Sequence, residues 1–137
     1  KGHPLFLPIK GWSMFPFLVN GDTIQVVKTD PAKLRPGDVI VFDANELVAH
    51  RLLRIRRKKE SRFFITKGDT LAYGDGLVAE KAIVGKVVRV RKPWFCLSLE
   101  GSAGRVLNLV CLALSEARFW TPGLVLFGKL VRCLRRI

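Results

Sequence analysis

Four side chains could do chemistry together: Ser13, His50, Asp69 and Asp75. Ser13 stands in "GWSMFPFLVNGD" (11–22), with Gly11 before it and Pro16 after it. A serine hydroxyl becomes a nucleophile only beside a group that takes its proton. The chain has two histidines. His3, next to Pro4 in an irregular N-terminal segment, reads as a surface residue. His50 lies in the apolar run "LVAHRLLRI" (47–55), where a two-residue period puts it on one face with Val48 and Leu52. It is either a satisfied core histidine or a base. Asp69 and Asp75 bracket a loop in "FITKGDTLAYGD" (64–75). A carboxylate at a strand end can orient an imidazole and stabilise its charged form. It can equally cap an Asx turn. Asp22 and Asp38, in Gly-Asp pairs that precede apolar runs, are assigned to capping. Taken together, these residues would carry a serine attack on an acyl carbon. No metal site and no cofactor is expected.

The elements that would position them read as β structure from Gly21 to Arg91. The runs 23–28, 38–43, 47–55, 62–66 and 82–91 are rich in Val, Ile and Phe. Between them stand turn signals: Asn20-Gly21-Asp22, Asp30-Pro31, Pro36-Gly37-Asp38, a charged run at 56–61, and Gly68 through Gly76. Short, regularly punctuated strands predict a small curled antiparallel sheet or barrel. The 137 residues fit one hydrophobic core, with a β-rich domain expected over 1–95.

After Pro93 the pattern changes. Residues 103–120 are mostly apolar and predict a helix, and Thr121-Pro122 reads as an N-cap with proline at the first helical position. From Gly123 on, Leu124, Phe127, Leu130, Val131 and Leu134 share one helical face and Lys129, Arg132 and Arg136 another. The expectation is therefore a mainly β fold followed by an apolar, basic helical hairpin over 103–137. Glu116 and Arg118 interrupt the apolar run, and a charge near a bilayer centre costs about 2.5–3.5 kcal/mol. A hairpin lying in the membrane interface suits the segment better than a spanning one, and a helical cap packed on the sheet is the alternative.

The formal net charge is +13. Arg51 to Arg62 holds seven basic residues and one acid, and the C-terminal basic residues are laced through apolar ones. That pattern favours an anionic membrane surface over nucleic acid as the partner, and solvated basic loops of a soluble protein are the alternative. The three cysteines, Cys96, Cys111 and Cys133, form no CxxC pair and indicate neither a zinc ribbon nor a disulfide framework.

The ordered set "GWSMFPFLVNGDTIQV", "LRPGDVIVF", "LVAHRLLRI", "FITKGDTLAYGD" and "AIVGKVVRV", from Gly11 to Arg91, resembles the signal peptidases and their relatives, the self-cleaving SOS repressors. No single box is specific; five in order are. The resemblance implies the curled sheet of that family, with Ser13 of the Ser-Met-x-Pro box as nucleophile. Most of these proteins use a lysine base in the third box. Here the position is His50, which resembles the endoplasmic-reticulum type found also in archaea and some bacteria. In that branch an aspartate near the "KGD" box completes the site. Asp75 matches it, and Asp69 matches the earlier acidic position.

An imidazole suits the swap, because it titrates near neutrality without the large pKa depression a lysine base needs. The chain departs from the family pattern at Gly11, where signal peptidases often carry an oxyanion-assisting serine. The oxyanion hole then falls to backbone N–H groups, that of Ser13 among them. It departs also at Trp12, and at Thr70-Leu71, where the box usually has two asparagines. The implied activity is a membrane-associated serine endopeptidase acting on a peptide or preprotein. The alternative is a repressor-like module that cleaves itself or one partner, for which no helix-turn-helix pattern or Ala-Gly pair precedes Ser13.

Overall fold

The computed structural model describes residues 2–117. Its strands are β1 (Leu5–Pro8), β2 (Thr23–Val27), β3 (Val39–Asp43), β4 (Leu47–Lys58), β5 (Ser61–Lys67), β6 (Leu77–Ala79), β7 (Ile83–Arg91) and β8 (Cys96–Ser98), followed by helix α1 (Gly101–Glu116). All pairings are antiparallel, and the strands form one eight-stranded sheet in the order β1-β2-β7-β3-β4-β5-β6, with β8 beside the far end of β7.

The five runs expected as strands are strands. β1, β6 and β8 were not expected, because each has only three or four residues and β1 is flanked by prolines. Such pieces have little propensity of their own and are held by their neighbours: β1 by β2, β6 by β5, β8 by β7.

The sheet curls strongly enough to bury both faces of its centre. Along β3, Val39 and Val41 point into one apolar cluster with Ile24, Val26, Val87 and Val90, closed by Met14, Phe17, Leu18 and Leu99. Ile40 and Phe42 point the other way, into a second cluster with Leu34, Leu52, Phe64 and Val78. Register shifts at Gln25/Val26, Val41/Phe42 and Leu52/Arg54 supply the bends that make this curl possible. A strand buried on both faces loses the alternating pattern, which is why "VIVF" reads as a continuous apolar run.

Helix α1 begins at Gly101 rather than at 103 and is the one α-helix among the described residues. Gly104 lets it turn back closely on β8, since a Cβ there would lie 2.3 Å from the Leu99 carbonyl carbon. Its orientation is unusual: Gly104, Asn108 and Ser115 are buried, while Val106, Leu109, Val110 and Leu114 face outward. No helix of the described residues is long and apolar enough to cross a membrane. The second helix of the expected hairpin lies outside the described residues.

Candidate active site

Ser13 sits on the turn that links β1 to β2. Gly11 takes φ +88°, a left-handed conformation that favours glycine, and its N–H donates to Asn20 Oδ1 at 3.1 Å. The Phe15 N–H donates to the Trp12 carbonyl at 3.1 Å, and the Leu18 N–H to that of Met14 at 2.9 Å. Met14, Phe17 and Leu18 then plunge into the core, so the turn is fixed from below and Ser13 stays half-buried at its edge.

His50 comes from β4, directly opposite Ile40 of β3, and is 7% exposed. Phe42 packs edge-on against its ring, with centroids 6.2 Å apart. Its Nδ1 lies 2.6 Å from Asp75 Oδ2 and its Nε2 lies 3.1 Å from Ser13 Oγ. Burial pushes the Asp75 carboxyl upward. Hydrogen bonds from His50 and Thr66, with the His50 charge, outweigh it and hold the group below the ordinary aspartate value. An ionised carboxylate only accepts, so the proton of the ring sits on Nδ1 and Nε2 is left to accept from the Ser13 hydroxyl. That is the arrangement a general base needs beside a serine.

Asp69, expected as a second partner of the histidine, is placed elsewhere. Arg51 Nε and Nη2 donate to its two carboxylate oxygens at 2.8 Å each. Arg51 is fully buried on the face of β4 opposite to His50 and also donates to the Gly37 carbonyl at 2.8 Å. Its guanidinium lies 5.0 Å over the Phe17 ring. Arg51, expected as part of a basic run, is an internal anchor instead, and its pairing with Asp69, together with the Gly37 hydrogen bond, makes its burial tolerable. Asp22 and Asp38 cap as expected, accepting from the Val19 and Arg35 N–H groups at 3.0 and 2.9 Å. They also pair with Lys92 and Lys86, respectively.

Thr70 was missed as a positioning group. Its N–H donates to the Ser13 carbonyl at 2.9 Å, and its hydroxyl reaches the Trp12 and Ser13 carbonyls at 3.0 and 3.1 Å. Gly68 packs so closely on the same turn that a Cβ would lie 2.8 Å from the Ser13 oxygen. The loop that carries both aspartates thus also holds the serine turn. Trp12 packs its ring on Phe15, with centroids 5.8 Å apart. The signal for Thr70 was present in its place in the "KGD" box, but the contact depends on a turn 57 residues away.

A cleft of about 530 Å³ opens beside Ser13 and His50. Leu7, Ile9, Met14, Ile24, Val48 and Ala49 make it mostly apolar, with Lys10 and Glu46 also among its lining. Among the described residues no group of three or more His, Cys, Asp and Glu is placed to hold a metal.

This geometry agrees with a sequence relationship. The chain is similar to Signal peptidase I W of Bacillus subtilis (strain 168). The two are 42% identical over 77 residues, which cover 54% of this chain. They cover 40% of the relative, so the chain matches less than half of that protein's length. No protein-family model matches the chain.

Proposed function

We propose that this chain is a serine endopeptidase of signal peptidase type, removing leader or signal peptides from preproteins. The observation that carries the reading is His50, bridging Ser13 Oγ at 3.1 Å and Asp75 Oδ2 at 2.6 Å beside an apolar cleft. Similarity to a protein named as a signal peptidase supports the substrate class.

In this mechanism Ser13 Oγ attacks the scissile carbonyl while His50 Nε2 takes its proton. Asp75 keeps the ring in the required tautomer and stabilises the imidazolium. The backbone N–H of Ser13 donates to the developing oxyanion, since Gly11 offers no hydroxyl there. His50 then returns the proton to the leaving amine, and water releases the acyl group by the same route in reverse. A histidine base in place of lysine resembles the endoplasmic-reticulum and archaeal type, which supports that branch. Asp69 acts on the site at one remove, through Arg51 and the shared loop.

The reading includes association with a membrane surface. Its support is the outward apolar face of α1, where Val106 is 60% and Val110 49% exposed, together with the net charge of +13.

The test is cleavage of a peptide bearing small residues before the cut, by wild type, Ser13→Ala and His50→Ala. Each substitution lowers kcat by about 10⁴–10⁶ while far-UV circular dichroism stays native. Full activity in either variant rejects the mechanism.

A further inference from the structure

We propose that Thr66 is a positioning residue of this site, clamping Asp75 by two hydrogen bonds and thereby aiming the His50 ring; the proposal rests on the serine-peptidase reading of Ser13 and His50. Thr66 is fully buried near the end of β5. It lies opposite Leu52 in the β4–β5 ladder, so its side chain shares the face of the sheet with that of His50, two residues earlier on β4. Its hydroxyl donates to Asp75 Oδ2 at 2.7 Å, the same oxygen that meets His50 Nδ1 at 2.6 Å. Its carbonyl accepts the Asp75 N–H at 2.9 Å. One strand residue therefore ties down both the main chain and the carboxylate of Asp75.

The need for such a clamp follows from where Asp75 sits. Leu71 to Gly76 are exposed, and Tyr73 is 83% so, which leaves this part of the loop without a core of its own. A carboxylate on such a loop has freedom in both backbone and χ1 that a strand residue lacks. Two donors on Oδ2 occupy both lone pairs of that oxygen and leave the carboxylate one orientation. Charge-assisted bonds of this length are among the stronger ones in proteins. Thr66 is not among the residues that line the cleft, and its hydroxyl bonds Asp75, so it acts on the site through Asp75.

Thr66→Val keeps the shape and removes the donor. It lowers kcat by about 10- to 100-fold and leaves KM within about twofold. In an Asp75→Ala background the same change alters kcat by less than about twofold, because the group it acts through is gone. Equal effects in both backgrounds, or wild-type activity of Thr66→Val, overturn the proposal. Thr66→Ser against Thr66→Ala separates donation from packing should Val fail to fold: Ser stays near wild type and Ala falls. Equal impairment of the two overturns the proposal as well. A readout free of substrate is the NMR signal of the proton on His50 Nδ1, which moves in Thr66→Val. An unmoved signal overturns the clamp. If the wild type cleaves no peptide, the peptidase reading fails on its own, and the NMR signal still decides the role of Thr66.

Discussion

At Asp75, one residue decides what His50 is. The same imidazole without a carboxylate on Nδ1 is a buried core histidine, and the tautomer facing Ser13 is undefined. Asp75→Asn keeps the volume but removes the charge and favours the wrong tautomer, so kcat falls about 10⁴-fold. Steady-state kinetics on purified variants checks this. The lowered pKa of Asp75 also fixes a pH dependence. A carboxyl with a depressed folded-state pKa contributes stability above its unfolded value and loses it as pH falls through the folded value. That window lies below the ordinary aspartate value of 3.8. The contribution of Asp75 to stability is therefore kept as pH falls to that value and is lost below it, which urea unfolding of wild type and Asp75→Asn across acid pH checks.

Among the elements, the β5–β6 loop does more than its exposure suggests. It presents Asp75 to His50, Asp69 to Arg51, and Thr70 to the serine turn. Arg51 extends the connection to α1, reaching Asn108 Oδ1 at 3.5 Å, and Lys67 Nζ donates to the Ser115 carbonyl at 2.7 Å. The helix thus turns Asn108 and Ser115 toward the sheet, beside Leu107 and Cys111, and Val106, Leu109, Val110 and Leu114 toward solvent. Breaking the buried pair leaves a charge without compensation. Arg51→Met destabilises the protein by about 3–5 kcal/mol in urea unfolding. Arg51→Met with Asp69→Asn loses less than the sum of the single changes, because neither partner is then stranded.

For the molecule as a whole, the proposed association with a membrane surface rests on the exposed apolar residues of α1 and on the net charge of +13. Val106 and Val110 project from α1 without supporting the core, so Val106→Glu with Val110→Glu leaves folding and cleavage of a soluble peptide intact. Binding to vesicles containing anionic lipid falls several-fold, measured by co-sedimentation at fixed ionic strength. Unchanged binding would move the contact to another part of the protein. Salt alone weakens the charge contribution, because exposed charges are screened over about 8–10 Å.

Sequence by itself determined the strands that carry the site and the residue types in it. β2, β3, β4, β5 and β7 announce themselves because their Val, Ile and Phe content and their turn residues are local properties. Ser13, His50 and the two loop aspartates were legible for the same reason: each stands in a short, recognisable run. Tertiary structure alone decided between the aspartates. Asp69 and Asp75 have equivalent Gly-Asp settings, and which one faces the imidazole depends on Arg51, whose alternate position on β4 sends its guanidinium to the opposite face. It also decided that Arg51 is buried, that Thr66 and Thr70 meet the site, and that Val106, Leu109, Val110 and Leu114 of α1 face outward. These are pairings between residues 9 to 58 positions apart in the chain. Composition and periodicity describe neighbours along the chain, whereas a curled sheet chooses neighbours across it.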